Sequence, residues 1–302
     1  MAAESKTAIV AAIIGNAAIA AIKFVAGSLT GSSAMISEGI HSVVDTGNGG
    51  LLFYGLRRGA RPADAAHPFG HGTEVFFWSL IVAVSIFGIG GGMSILEGVM
   101  HIRDPSPLEN PLINYIVLGV AMVFEAISFS VAWSAFRGHR KGRRTLAAIH
   151  QGKDPSLFTV LFEDTAALLG LVVAFLGVFF SHLFDEPVID GAASVAIGII
   201  LVCAAVWLAY ESKSLLVGEA AEPQLVAAVR KIALSDPAVA GVGAVLTMHL
   251  GPQEVLLNIE VQFKRGLKVE DIHAAIHRIE EHIGKPHPEV TRIFVEVDIP
   301  DR

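Results

Sequence analysis

Residues 31–50 read GSSAMISEGIHSVVDTGNGG, and Glu38, His41, Asp45 and Asn48 recur there every three or four positions. On an α-helix that spacing puts all four on one stripe. The surrounding residues are apolar or small, so the stripe lies inside a segment that otherwise suits lipid. A chargeable side chain at the centre of a bilayer costs at least a few kcal/mol, which makes His41 and Asp45, one turn apart, an expected ion or proton site. Imidazole nitrogen and carboxylate oxygen at this spacing suit a borderline divalent ion such as Zn²⁺.

The rest of the chain supports a membrane setting. It has 302 residues, 53% of them hydrophobic, and a mean hydropathy of +0.58, values that exclude an ordinary soluble domain. Apolar stretches of about 20 residues fall near 7–27, 33–56, 75–100, 112–136, 157–181 and 188–210. The reading is a polytopic α-helical protein with a six-helix transmembrane domain over 1–210 and a cytoplasmic α+β domain over 211–302. Arg57, Arg58 and Arg61 follow the second stretch, and Arg137, Arg140, Lys141, Arg143, Arg144 and Lys153 follow the fourth. Only Arg103 lies in the opposing loops, where Asp185 and Glu186 lie between the fifth and sixth stretches. The bias of Lys and Arg toward the cytoplasm places both termini there.

Cys203 is the single cysteine, so neither a disulfide within the chain nor a cysteine-based zinc site is expected. No leader or organelle address is visible before the first apolar stretch, and a prokaryotic cell (inner) membrane is the plainest expectation. The net charge of −7 gives no hint of nucleic-acid binding, and no cofactor is called for.

Two ligands do not hold a metal, and the fifth stretch offers Glu163 and Asp164 within an apolar run. Glycines in both stretches (Gly47, Gly49, Gly50; Gly170, Gly177) permit close approach. The loop after the second stretch carries Asp64, His67 and His71, whose spacings of three and four put three ligands within reach of one ion. Glu97, Glu125 and Asp190 are further acids at or near membrane depth; Glu125 could relay protons or hydrogen-bond a serine such as Ser128 or Ser130, and the structural role is the expectation.

The tail reads as helix, strand, strand, helix, strand. Pro223 opens a helix, and Gly251-Pro252 turns between two strands. Leu257, Ile259, Val261 and Phe263 alternate with polar residues as in a half-buried strand. Val269, Ile272, Ile276, Ile279 and Ile283 take helical spacing, and Ile293, Val295 and Val297 mark a last strand.

The run from Gly31 to Thr46 resembles the second-helix signature of the cation diffusion facilitator family, and Asp64 to Gly72 (DAAHPFGHG) resembles its cytoplasmic loop signature. The resemblance covers nearly the whole chain and implies a metallochaperone-like αββαβ domain, a homodimer joined through it, and exchange of a cytoplasmic divalent cation for protons. It implies His41, Asp45 and Asp164 as transport ligands and Asp64, His67 and His71 as a loop site. One departure stands out: the family's fifth-helix histidine position is Val160 here. The run Phe162-Glu163-Asp164-Thr165 is instead similar to the subgroup related to zinc transporter 9. Neighbouring residues on a helix point about 100° apart, so Asp164 is expected as the ligand, Glu163 as a supporting or alternate-state group, and Asn48 or water as the last donor. In the tail, the family's metal positions match Gly243, Asn258, His273, Glu296 and Asp298, of which only His273 and Asp298 keep a ligand type. His273 and His277 read as a solvated helix face, and His249, His282 and His287 as scattered.

Metal binds neutral imidazole and ionised carboxylate, so loading releases protons. One nitrogen among oxygens favours Zn²⁺, with Co²⁺, Fe²⁺ and Mn²⁺ behind it. Two other readings stay open: a non-transporting regulatory or metal-sensing subunit of the same fold, and a membrane metallohydrolase. Against the hydrolase, Asp45 and Asp64 stand roughly 19 residues, or about 28 Å of helix, apart.

Overall fold

The computed structural model describes residues 2–139 and 155–298; the basic residues Arg140 to Lys153 of the sequence reading lie outside them. Helices α1 (Ala2–Thr30) and α2 (Ser33–Gly59) form a hairpin. It turns at Gly31, whose φ of +71° is the left-handed conformation that glycine adopts without strain. Next come α3 (Glu74–Ser85), a π-helical turn (Ile86–Gly92) and α4 (Met93–Arg103), which run as one span, followed by α5 (Pro111–His139), α6 (Pro155–Phe184) and α7 (Val188–Gly218). Among the described residues four helices are long and apolar enough to cross a membrane, beginning at Glu74, Pro111, Thr159 and Val188. The hairpin helices are 29 and 27 residues long, but the polar stripe dilutes the apolar character of α2. The sixth apolar stretch was expected to end near 210, whereas α7 continues to Gly218. Backbone hydrogen bonds carry the helix past its apolar section.

The chain divides into two compact units. In the first, comprising Met1–Leu56, Phe77–His150 and Pro155–Ser212, small residues set the helix spacing. A Cβ on Gly98 would lie 2.6 Å from the Gly191 carbonyl oxygen, and one on Gly191 would lie 3.0 Å from that of Gly98. One heptad along, Gly91 and Gly198 repeat the arrangement at 3.0 and 2.8 Å. The backbones of the α3–α4 span and α7 therefore meet without intervening side chains, the packing open to helices in lipid. Asp190, fully buried at the start of α7, accepts hydrogen bonds from Ser32 Oγ (2.9 Å) and the Ala34 amide (3.1 Å). This acid thus caps the N-terminus of α2. Ser194 bonds Ser37 and donates to the Ser94 carbonyl at 3.0 Å.

Among the described residues the second unit comprises Arg57–Phe76 and those from Lys213 to Asp298. Its sheet runs β1 (Val239–Gly251), β2 (Glu254–Phe263), β3 (Val290–Asp298), with β1–β2 antiparallel and β2–β3 parallel. Buried and half-buried residues alternate throughout β2. Leu257, Ile259, Val261 and Phe263 meet Val229 of α8 (Pro223–Leu234) and Ile279 and Ile283 of α9 (Val269–Gly284) in one apolar core. An extra residue in β1 between Val242 and Val245 makes a bulge, and Arg230 donates to the Val242 and Gly243 carbonyls, each at 2.7 Å. A Cβ at Gly243 would strike the Glu260 carboxylate at 2.4 Å, so a glycine occupies the position for packing reasons.

Two outcomes follow from this packing. Gly98→Ala forces the α4–α7 backbones apart and should cost about 2 kcal/mol, read as a lower thermal midpoint of the detergent-solubilised protein. Arg278 grips Asp236 through two hydrogen bonds of 2.8 and 3.0 Å and, as the largest cause, holds its carboxyl below the ordinary value of 3.8. A depressed carboxyl stabilises the fold above its unfolded-state value, and that stabilisation is lost as pH falls through the lowered one. Arg278→Ala should lessen this acid-side dependence, measured as hydrogen exchange of α9 amides in the full chain as a function of pH.

Candidate metal centre

In the first unit, α2 carries His41 2% exposed and its Nδ1 3.3 Å from Asp45 Oδ1. The approach is too oblique for a hydrogen bond, and neither ring nitrogen finds such a partner among the described residues. Buried polar atoms are normally satisfied, so an imidazole with two idle nitrogens is poised for a ligand. One turn along, Asn48 Nδ2 donates to Glu163 Oε1 of α6 at 2.6 Å. The α2 stripe thus carries the His41–Asp45 pair and, one turn on, the Asn48 tie to Glu163 of α6.

Asp164 is directed elsewhere. It accepts from Ser128 Oγ of α5 at 3.1 Å, as the 100° rotation between neighbours requires. Glu163 thus bonds Asn48 of the α2 stripe, while Asp164, expected as the ligand with Glu163 in support, bonds Ser128 of α5. The serines expected for Glu125 are engaged otherwise, Ser128 with Asp164 and Ser130 with the Ala126 carbonyl. The first member of the stripe, Glu38, is fully buried and accepts from Lys23 Nζ of α1 at 2.9 Å. Lys23 also donates to Ser42 Oγ at 2.9 Å. The sequence reading passed over Lys23, although a lysine inside an apolar span is the same signal that singled out the stripe.

In the second unit, Asp64 builds the loop. Its Oδ1 accepts the amides of Ala66 (2.9 Å) and His67 (2.7 Å), and the His67 amide is the largest influence holding the carboxyl below its ordinary range. One ligand atom from each of Asp64, His67 and His71 lies within 4.8 Å of the others, and the two rings stand 4.3 Å apart between centroids. His71 is buried with Nδ1 free of hydrogen bonds among the described residues. An oxygen and two nitrogens at this separation can converge on a single divalent ion. Behind them, a Cβ at Gly72 would lie 2.4 Å from the Leu250 carbonyl oxygen and 3.1 Å from Glu254 Oε2, so the loop rests on the β1–β2 turn.

Among the described residues no other trio of His, Cys, Asp and Glu comes together in this way. His273 and His277 touch edge to face at 4.5 Å on an exposed face of α9, and His277 pairs with Glu280. His249 is buried beside the Gly251 carbonyl, and His287 pairs with Glu289.

Two family models cover the chain: the cation efflux transmembrane domain over residues 9–217 and the cation efflux protein cytoplasmic domain over 221–299. The chain belongs to the cation efflux family. Within this family, also called the cation diffusion facilitators, it resembles the mouse proton-coupled zinc antiporter SLC30A9, mitochondrial, at 31% identity over 91% of this chain and 55% of the mouse protein. Metal tolerance protein C4 of Arabidopsis thaliana is 30% identical over 89% of this chain and 59% of its own length. The cation-efflux pump FieF of Escherichia fergusonii is 26% identical over 91% and 90%. The chain spans about half the length of the SLC30A9 relatives it matches. As an efflux-family protein with four membrane-length apolar helices it is an integral membrane protein.

The loop geometry is open to a direct check. Gly72→Val should lift the loop from the β1–β2 turn and speed hydrogen exchange of residues 64–75 by at least about tenfold. Gly284→Val, with nothing within 4 Å of its Cβ, should leave that segment unchanged.

Proposed function

We propose that the protein is a zinc efflux transporter that exchanges cytoplasmic Zn²⁺ for protons, with six membrane spans and both termini in the cytoplasm. The observation that carries this reading is the His41–Asp45 pair on the α2 stripe, whose next member Asn48 holds Glu163 of α6. It offers one imidazole, two carboxylates and an amide at membrane depth. Two carboxylates match the charge of a divalent cation, and one nitrogen among oxygens suits Zn²⁺ ahead of Co²⁺, Fe²⁺ and Mn²⁺. The names of the SLC30A9 relatives support zinc and proton coupling.

Mechanism follows from ligand chemistry. Each donor binds metal only after losing any proton it carries, so metal loading and proton loading are alternatives at one site. Alternating exposure of the site to the two faces then drives metal one way and protons the other. Asp64, His67 and His71 form a second site that gathers the ion at the cytoplasmic mouth. The six spans count α1 and α2 with the four apolar helices, and the bias of Arg57, Arg58 and Arg61 supports the orientation. The cytoplasmic domain joins two copies; its family model, and the exposed Leu246, Met248 and Phe294 on the sheet face opposite the core, support this. The proposed location is a prokaryotic cell membrane, to which FieF, matched over 90% of its length, lends support; the relatives at 30% identity or more include mitochondrial proteins.

In proteoliposomes, Zn²⁺ flux should follow an imposed pH gradient and reverse with it. Asp45→Ala should abolish flux, and Glu163→Gln should lower it at least about tenfold more than Asp164→Asn does. Flux indifferent to the gradient defeats the exchange reading.

A further inference from the structure

Lys23 lies two turns before the C-terminal end of α1, 1% exposed, and holds Glu38 Oε2 and Ser42 Oγ at 2.9 Å each. Both partners belong to α2 and bracket His41: Ser42 follows it directly, and Glu38 precedes it by one turn on the same stripe. A pair kept only to join two helices would leave its carboxylate satisfied. Here Glu38 Oε1 has no hydrogen-bond partner among the described residues. It points at α6, where a Cβ on Gly170 would lie 2.6 Å from it. Gly170 thus keeps open the space in front of an anionic oxygen, on the helix that supplies Glu163.

We propose that Lys23 is a charge-setting residue of the transport site: its fixed ammonium neutralises Glu38 and thereby limits how tightly the site retains a divalent cation. This rests on the transport reading above. A charge buried at this depth is little screened, and its field reaches a neighbour one helical turn away. With Glu38 tied to Lys23, the carboxylates left for the ion are Asp45 and Glu163, equal to its charge. With Glu38 released, a third carboxylate lies within the field of the ion, and release, which any carrier must complete on every cycle, slows. Lys23 acts through Glu38 and Ser42 and does not touch the ion; it is a positioning residue.

The test is a sign pattern in the purified full-length protein. Zn²⁺ affinity is measured by calorimetry, and KM and kcat by flux in proteoliposomes, for Lys23→Met, Glu38→Gln, the double variant and Lys23→Arg, all at one pH. Lys23→Met should bind Zn²⁺ at least about tenfold more tightly, with KM and kcat both lowered. Glu38→Gln leaves an unpaired ammonium and should bind at least about tenfold more weakly. The double variant and Lys23→Arg should return close to wild type. If one single variant does not fold, the sign of the other still decides. Single variants that shift affinity in the same direction, or leave it unmoved, overturn the proposal. Wild type that binds Zn²⁺ no better than Asp45→Ala overturns the transport-site reading instead.

Discussion

Every charged or hydrogen-bonding side chain within the hydrocarbon of a membrane must find a partner in the protein, and the α2 stripe concentrates that requirement on one helix. Glu38 is met by Lys23 of α1, Ser37 by Ser194 of α7, and Asn48 by Glu163 of α6. At the head of the helix, Asp190 of α7 meets Ser32 and Ala34. Three helices are thereby fixed around α2 by polar contacts on different turns. Among the described residues both His41 nitrogens and Asp45 Oδ1 are left without a hydrogen bond, and His41 is the residue whose chemistry best suits a metal. The need to satisfy polar groups and the need to leave one ligand idle are resolved on the same face.

Close approach is the second requirement. The reciprocal glycine contacts between the α3–α4 span and α7 hold backbones against each other, and the π-helical turn Ile86–Gly92 lies beside them. A π turn is commonly found where a helix serves function. Here it lets Gly91 reach the α7 backbone while Ile86 stays in the core.

Much of this was legible in the sequence because it follows from local periodicity. The stripe of three- and four-residue spacings, the Asp64–His67–His71 trio, the alternation in β2 and the Gly251-Pro252 turn all depend on residues near one another in the chain. What escaped depends on rotation and on distant partners. Whether Glu163 or Asp164 meets α2 turns on the roll of α6 about its axis, which an apolar run with two adjacent acids does not encode. Asp190 reads as an intramembrane acid, yet it caps a helix that begins more than a hundred residues earlier, a pairing no window of sequence contains. Lys23 pairs with Glu38 on another helix, a contact that the spacing within either helix does not reveal. The bulge that places Gly243 against Glu260 likewise needs the strand register before its glycine makes sense.

The loop cluster has its own history in the making of the chain. Residues 57–76 share a compact unit with residues 213–302, and Gly72 rests on the turn around Gly251. A ribosome releases the loop well before the β1–β2 turn, with α3 to α8 made in between. During that interval Asp64, His67 and His71 have no surface to lie on, because domains fold as units once their parts exist. The loop site is therefore completed only after the helices of the membrane unit have been made.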